Sequence, residues 1–156
     1  MYGTVREGCI ILWEKVTYLQ SKDVKLWHTE VYMPKECLVQ VKKQKKMLID
    51  NGYTKSLHII TDRLNNSKFD HKHDYNSKQL ESAIFRMVYS DVEPFEVETT
   101  NSKVTKYVIR IEFDDLRDIS IVVRGNVIIT AWINYKGDKH YTLDKSKYAK
   151  KEDWKF

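Results

Sequence analysis

The sequence predicts a single soluble α+β domain whose C-terminal half is an antiparallel sheet. The chain has 156 residues, which fits one domain of ordinary size. Hydrophobic residues make up 42% of it, which is enough to bury a core. Apolar residues recur at helical spacing in the middle of the chain, whereas residues 104–133 show the alternating and continuous apolar patterns of strands. Helices followed by a block of strands are typical of α+β architecture.

The residues before Pro34 predict a β-hairpin. Segments 9–20 and 24–33 are rich in β-branched and aromatic residues, and residues 21–23 offer a short turn between them. Because the apolar alternation of the first segment is imperfect, a short helix is the alternative there.

A helix is predicted between Pro34 and Gly52, since proline suits the first turn of a helix and glycine suits its end. Its apolar residues recur at helical spacing: Leu38, Val41, Leu48 and Ile49. Its other face carries five lysines: Lys35, Lys42, Lys43, Lys45 and Lys46. A solvated face is the usual meaning of this pattern, and contact with phosphate groups is the alternative.

A second helix is predicted after Asn76. It follows a segment at 56–66 that is either helical or extended, and a polar loop at 65–74. Asn76 and Gln79 have the spacing of a capping box. The apolar residues that follow keep the i, i+3, i+4, i+7, i+8 pattern: Leu80, Ala83, Ile84, Met87 and Val88. Pro94 then breaks the helical segment.

The remainder of the chain predicts strands. In residues 104–113 one face would be apolar: Tyr107, Ile109, Ile111 and Phe113. The other face would be polar, with Lys106, Arg110 and Glu112. Residues 119–123 and 127–133 are nearly continuous apolar runs, and the Gly125–Asn126 pair between them predicts a two-residue hairpin turn. Such strands are central in a sheet, so the helices of the first half are expected to cover them.

Composition and charge favour a cytoplasmic protein with an acidic partner. The formal net charge is +5, which favours nucleic acid as a partner. No apolar run reaches the length of a membrane span, and the first residues lack the pattern of a signal peptide. Cys9 and Cys37 predict two buried thiols rather than a disulfide. We therefore expect a reducing cytosolic environment and no membrane.

Residues 70–74 (Asp-His-Lys-His-Asp) have the composition of a metal-binding loop. Two histidines at i, i+2 flanked by carboxylates can hold a divalent ion if the loop folds around it. Lys72 between them opposes a cation, and no third ligand is placed by the sequence. A solvated polar loop is the preferred interpretation, and no metal or cofactor is expected.

A dispersed set of residues has the chemistry that RNA cleavage without a metal requires. One group removes the proton of the 2′-hydroxyl, another protonates the leaving oxygen, and cations stabilise the charge on the phosphate. Histidine suits both proton transfers because its pKa is near neutrality. The candidates are His58, Arg63, Arg110, Arg124, Thr130, Lys139, His140 and Tyr148. The alternative for Arg63 and Arg110 is a surface ion pair with a neighbouring carboxylate.

Residues 121–134 and 138–148 resemble the closing strands of the barnase–EndoU–colicin E5/D–RelE-like superfamily of toxin-type RNases. The resemblance covers about residues 56–148 and implies helices packed on a four-stranded antiparallel sheet. It also implies an active-site role for His58 with Arg63, for Thr130, and for a late residue that matches His140 or Tyr148. The whole chain would then comprise an N-terminal extension at 1–52, an RNase-like core at 53–148 and a basic tail at 149–156.

The predicted function is that of a metal-independent, toxin-like or phage-associated ribonuclease. His140 and His58 would be the acid–base pair, and Thr130 and Tyr148 would orient the phosphate. The cations expected to bind it are Arg63, Arg110, Arg124 and Lys139. The alternative is a non-enzymatic phage or mobile-element protein that binds nucleic acid or a protein partner, as an inhibitor or accessory factor.

Overall fold

The computed structural model describes residues 23–60 and 74–143, and these residues form two helices and six strands. In chain order the elements are β1 (Val24–His28), α1 (Lys35–Asp50), β2 (Thr54–Lys55), α2 (Ser77–Tyr89), β3 (Glu96–Thr100), β4 (Lys103–Glu112), β5 (Arg117–Arg124) and β6 (Val127–Tyr135). A helical turn also begins at Leu57. In this part of the chain, neither helix is long and apolar enough to cross a membrane.

The strands form one sheet in the order β1-β3-β4-β5-β6-β2. Strands β3 to β6 make an antiparallel meander, and β1 adds to it antiparallel to β3. The short β2 pairs with β6 in parallel. The predicted α+β class is confirmed, but the predicted four-stranded sheet is wrong because the described residues add one strand at each edge. Segment 9–20 of the predicted hairpin lies outside the described residues.

The first helix ends where the sequence predicts. Gly52 follows it with φ of 82°, a left-handed conformation that glycine adopts without strain. Lys45, however, is buried at 5% exposure although its pattern predicts a solvated face. Its ammonium donates to the carbonyls of Ser90 at 3.4 Å and Val92 at 3.2 Å, directly after α2. A cation near the C-terminus of a helix is favourable, and the buried ammonium is satisfied by the carbonyls of the C-cap residue Ser90 and of Val92 beyond it.

The second helix has the capping box that the sequence predicts. The Asn76 side chain accepts from the amide of Gln79 at 2.8 Å, and the Gln79 side chain accepts from the amide of Asn76 at 2.8 Å. The predicted apolar face is buried in the core: Leu80, Ala83, Ile84 and Met87.

The two helices cover one face of the sheet. The main core combines residues of both helices with those strand residues that point toward them, among them Val41, Leu48, Tyr107, Ile109, Ile119, Ile121 and Ile133. The strand residues that point away form a second face, which we call the distal face: His28, Glu96, Val108, Arg110, Asp118, Ser120, Val122, Thr130, Trp132 and Asn134. Period-two alternation along each strand produces this separation.

Residues 24–50, which the sequence assigns to an N-terminal extension, belong to the same sheet and core as the later elements. Strand β1 pairs with β3 along its length, and α1 contributes Val41 and Leu48 to the main core. The predicted basic tail, 149–156, lies outside the described residues.

Candidate functional site

Arg110 connects the middle of the sheet to the segment that follows β6. It projects from β4 on the distal face, and its guanidinium donates to the main-chain carbonyls of Asp138 and His140, the latter at 3.2 Å. The guanidinium also stacks on the ring of Phe95, 3.9 Å from its centroid. Burial lowers the pKa of Arg110, and the negative charge of Asp138 opposes this effect. The contacts position the backbone on both sides of Lys139.

Glu96 holds the same segment two residues further along. Its carboxylate accepts from the amide of Thr142 at 2.7 Å and from the amide of Leu143 at 2.8 Å. Glu96 is only 3% exposed, and hydrogen bonds to a buried charged acceptor are strong. Residues 138–143 therefore cross the distal face from β6 toward β3; we call them the crossing segment.

A chain of hydrogen bonds fixes the start of the crossing segment. The Asp138 carboxylate accepts from the amide of His140 at 3.0 Å and from the Asn134 side chain at 3.3 Å. The buried Ser120 hydroxyl donates to the Asn134 side-chain oxygen at 2.6 Å. Ser120 and Asn134 lie on central strands of the sheet. The sheet therefore fixes the position of the His140 main chain through these hydrogen bonds.

Planar groups stack in a column from Arg110 to β1. The guanidinium of Arg110 lies over the ring of Phe95. That ring stacks with Tyr141, with 5.1 Å between the ring centroids and 20° between the ring planes. Tyr141 in turn lies 4.1 Å from His28, with an interplanar angle of 32°. The His28 Nδ1 accepts from the amide of Glu30 at 3.2 Å, which places the proton of the neutral ring on Nε2.

The turn after β1 faces the crossing segment. Lys139 forms an ion pair with Glu30 at 3.0 Å, and both side chains are more than half exposed, at 69% and 51%. Their hydrogen bond raises the pKa of Lys139 and lowers that of Glu30. The hydroxyls of Thr29 and Tyr141 lie 3.4 Å apart. Residues 28–30 and 139–141 therefore form one surface patch.

The structure brings Arg110, Lys139 and His140 together, but it does not bring His58 to them. His58 follows β2, and β2 lies three strand spacings from the strand of Arg110, or roughly 14 Å. The predicted pairing of His140 with His58 at one phosphate is therefore not formed. This separation arises because β2 pairs with β6 at the edge of the sheet. A strand of two residues gives no sequence signal for that pairing.

Thr130 and Arg124 also lie apart from the crossing segment's charged residues. Thr130 is on β6, two strand spacings or about 10 Å from β4, and it is buried at 1% exposure. Arg124 is exposed at the β5–β6 turn, four residues along β5 from the cross-strand partner of Arg110, which corresponds to roughly 13 Å. Arg63 and Tyr148 lie outside the described residues.

Several residues of this patch have no signal in the local sequence pattern. His28 and Glu30 are separated from the crossing segment by more than 100 residues, and they reach it because His28 pairs with Glu96 across β1 and β3. The only hint available in the sequence is that His28 and Glu30 sit in a predicted strand, segment 24–33. Nothing in it indicates the partner strand.

Within residues 23–60 and 74–143, no cluster of three or more His, Cys, Asp or Glu side chains is arranged to hold a metal ion. The Asp-His-Lys-His-Asp motif lies outside these ranges except for Asp74. Comparison with protein-family models, with curated proteins and with solved structures gives no match to this chain.

Proposed function

We propose that the protein is a metal-independent endoribonuclease that cleaves single-stranded RNA at the patch formed by residues 28–30 and 139–141. One observation carries this proposal: Arg110 fixes the backbone of His140, while the ring of His28 packs at a tilt against the adjacent residue, Tyr141. His28, Lys139 and His140 therefore belong to one patch of a basic protein, in which Lys139 and His140 are exposed and His28 is partly buried. The pairing of His140 with His28 replaces the pairing with His58 that the sequence alone favours.

The two histidines have complementary roles in the proposed reaction. His140 removes the proton from a 2′-hydroxyl, whose oxygen attacks the adjacent phosphorus while the bond to the 5′-oxygen breaks. His28 donates to that leaving oxygen from its imidazolium form, in which Nδ1 is also protonated and no longer accepts from the Glu30 amide. The ring is left neutral, and the products are a 2′,3′-cyclic phosphate and a free 5′-hydroxyl. Because the nucleophile is already attached to the substrate, the attack is intramolecular and needs little more than proton transfer and charge stabilisation.

Lys139 is the cation proposed to contact the scissile phosphate. Its partner Glu30 is exposed, and an exposed ion pair contributes only about 0–1 kcal/mol, so a phosphate displaces Glu30 at small cost. Arg110 has a different role, since its guanidinium donates to two main-chain carbonyls of the crossing segment. We assign it as a positioning residue rather than a phosphate ligand.

A second candidate function is binding of a protein partner without catalysis. Phe85 and Tyr89 lie one turn apart on α2, are 57% and 62% exposed, and have ring centroids 4.7 Å apart. Exposed aromatic residues are frequent anchors of protein interfaces. Expression separates the two candidates, because an active ribonuclease is expected to be toxic to its host cell without an antidote and a binding protein is not.

Cleavage of end-labelled single-stranded RNA in excess EDTA tests the main proposal. We expect cleavage by the wild-type protein and a loss of at least about 100-fold in rate in His140→Ala and in His28→Ala, the usual scale for removing an acid or base. His58→Gln is the matched control and should cleave as the wild type does. An equal loss of rate in His58→Gln would instead support the pairing of His140 with His58. No cleavage of several RNAs by folded wild-type protein would refute the ribonuclease proposal.

A further inference from the structure

We propose that the outer face of the His28 ring is the stacking position for one unpaired nucleobase, preferably a purine. The inference rests on the proposed function for its ligand class, single-stranded RNA, and it adds a specific base subsite to the site. The observation that carries it is the column of planar groups that runs through Arg110, Phe95 and Tyr141 to His28.

His28 is more exposed than Tyr141, the ring on which it lies. Tyr141 in the middle is buried at 5% exposure, whereas His28 is only partly buried. Within residues 23–60 and 74–143 no further ring is stacked beyond His28, and the proposed base takes the outer face of this ring. A base placed there continues an existing order of stacked rings.

The His28 ring is already held in the orientation that stacking requires. Its Nδ1 accepts from the amide of Glu30, and its inner face contacts the ring of Tyr141. A ring that is fixed in advance loses little conformational freedom when a ligand binds, so more of the stacking energy becomes affinity. The ring edge that carries Nε2 remains available for proton transfer while the ring face contacts the base.

The position of Lys139 supports a nucleotide as the occupant. Lys139 contacts Glu30, two residues after His28, so a cation and a stacking face lie within one patch. A base on His28 with its phosphate near Lys139 requires a nucleotide whose base is free of a duplex stack. A purine is favoured over a pyrimidine because its larger ring system covers more of the imidazole.

The test measures binding of a short single-stranded 2′-O-methyl RNA, which cannot be cut through its 2′-oxygen. Single abasic sites are placed at each position in turn, and dissociation constants are measured by fluorescence anisotropy. We expect one abasic position to weaken binding to the wild-type protein by roughly 5- to 150-fold, the range for loss of one base–aromatic stack. That penalty should disappear in His28→Ala and remain in His28→Phe, which keeps a planar ring.

The outcomes separate this inference from the ribonuclease itself. An abasic penalty of the same size in wild type and His28→Ala would overturn the stacking subsite, and so would the absence of any binding. A penalty that depends on residue 28 supports the subsite even if natural RNA is not cleaved, in which case only the catalytic proposal falls. Cleavage of natural RNA together with a penalty independent of residue 28 would retain the ribonuclease and remove the subsite.

Discussion

The guanidinium of Arg110 donates to the main-chain carbonyl of His140 at 3.2 Å, so a central strand sets the position of an exposed histidine. The same guanidinium stacks on Phe95, at the opposite end of the column from His28. One side chain therefore supports both histidines of the proposed site, and its geometry depends on a planar group with several donors.

Arg110→Lys should lower the cleavage rate at saturating RNA by about 10- to 100-fold, with a much smaller change in KM. Lysine keeps the charge but cannot make the paired contacts and the stack, and small displacements of a catalytic group have effects of this size. The free energy of unfolding should fall by about 1–3 kcal/mol, the scale of hydrogen bonds to a charged group. Steady-state kinetics and chemical denaturation measure both effects.

Arg124→Lys provides the matched control, because Arg124 is exposed at the β5–β6 turn. Its kinetics should resemble those of the wild type, and its stability should change by no more than about 0.5 kcal/mol. Wild-type turnover in Arg110→Lys would show that Arg110 does not position the site.

Glu96→Gln should loosen the crossing segment. The carboxylate accepts two amides, and the amide group of glutamine replaces one acceptor oxygen with a donor. A buried donor without an acceptor costs about 1–3 kcal/mol, so the amides of Thr142 and Leu143 should exchange with solvent roughly tenfold faster or more. Hydrogen exchange followed by NMR measures this change.

Glu98→Gln controls for the loss of a carboxylate on the same strand. Glu98 accepts from the hydroxyl of Thr105 at 2.6 Å. The Glu98→Gln substitution should leave the hydrogen-exchange protection of the Thr142 and Leu143 amides unchanged. Similar acceleration in both variants would mean that Glu96 has no specific hold on the crossing segment.

Lys139→Ala should weaken RNA binding and reduce its dependence on salt. One phosphate contact on a single strand contributes a slope of about 0.7 in the logarithmic salt plot. Glu30→Gln should have the opposite effect on affinity, because it leaves Lys139 without its ion-pair partner. Salt titrations of binding to the 2′-O-methyl RNA measure both slopes.

Lys43→Ala is the charge-matched control for this pair, since Lys43 is an exposed lysine on α1. Its salt slope should equal that of the wild type. A larger loss in Lys43→Ala than in Lys139→Ala would instead favour the lysine face of α1 as the phosphate contact.

Lys45 should give the wild-type protein a stability that rises with pH in alkaline solution. Burial lowers the pKa of Lys45 below its ordinary value of 10.5, so the folded protein releases this proton before the unfolded chain does. Between the two pKa values the unfolded chain binds more protons, and the free energy of unfolding therefore increases with pH. Lys45→Met lacks the titrating group, so denaturation from about pH 8 to pH 10.5 should show the wild type gaining relative to the variant. A constant difference across this range would contradict the burial.

Local signals in the sequence predict most of the helices and central strands. The Asn76–Gln79 capping box, the Gly125–Asn126 turn and the alternation in β4 each depend on residues within a few positions of one another. The burial of Lys45 has no such signal, because carbonyls 45 and 47 residues away accept from its ammonium. In the sequence, Lys45 is therefore indistinguishable from the solvated lysines on the same face of α1.

The site is less predictable than the fold for the same reason. Arg110 and His140 are recognisable as polar residues on and after predicted strands, but the presence of His28 beside Tyr141 depends on the pairing of β1 with β3. Pairing between distant strands is decided by tertiary packing rather than by periodicity within either strand. The sequence therefore indicates His140 and His58, but not His28, the partner that we propose for His140.

Cleavage of matched substrates that differ by one oxygen tests the central claim most directly. The substrates are a single-stranded RNA with one mapped cleavage position and the same RNA with a 2′-deoxynucleotide on the 5′ side of that bond, both incubated with wild-type protein in excess EDTA. We predict a 2′,3′-cyclic phosphate product from the first, no cleavage of the second at that bond, and similar affinity for both. Cleavage of the deoxy-substituted bond, or cleavage that EDTA abolishes, would contradict a metal-independent attack by the 2′-hydroxyl.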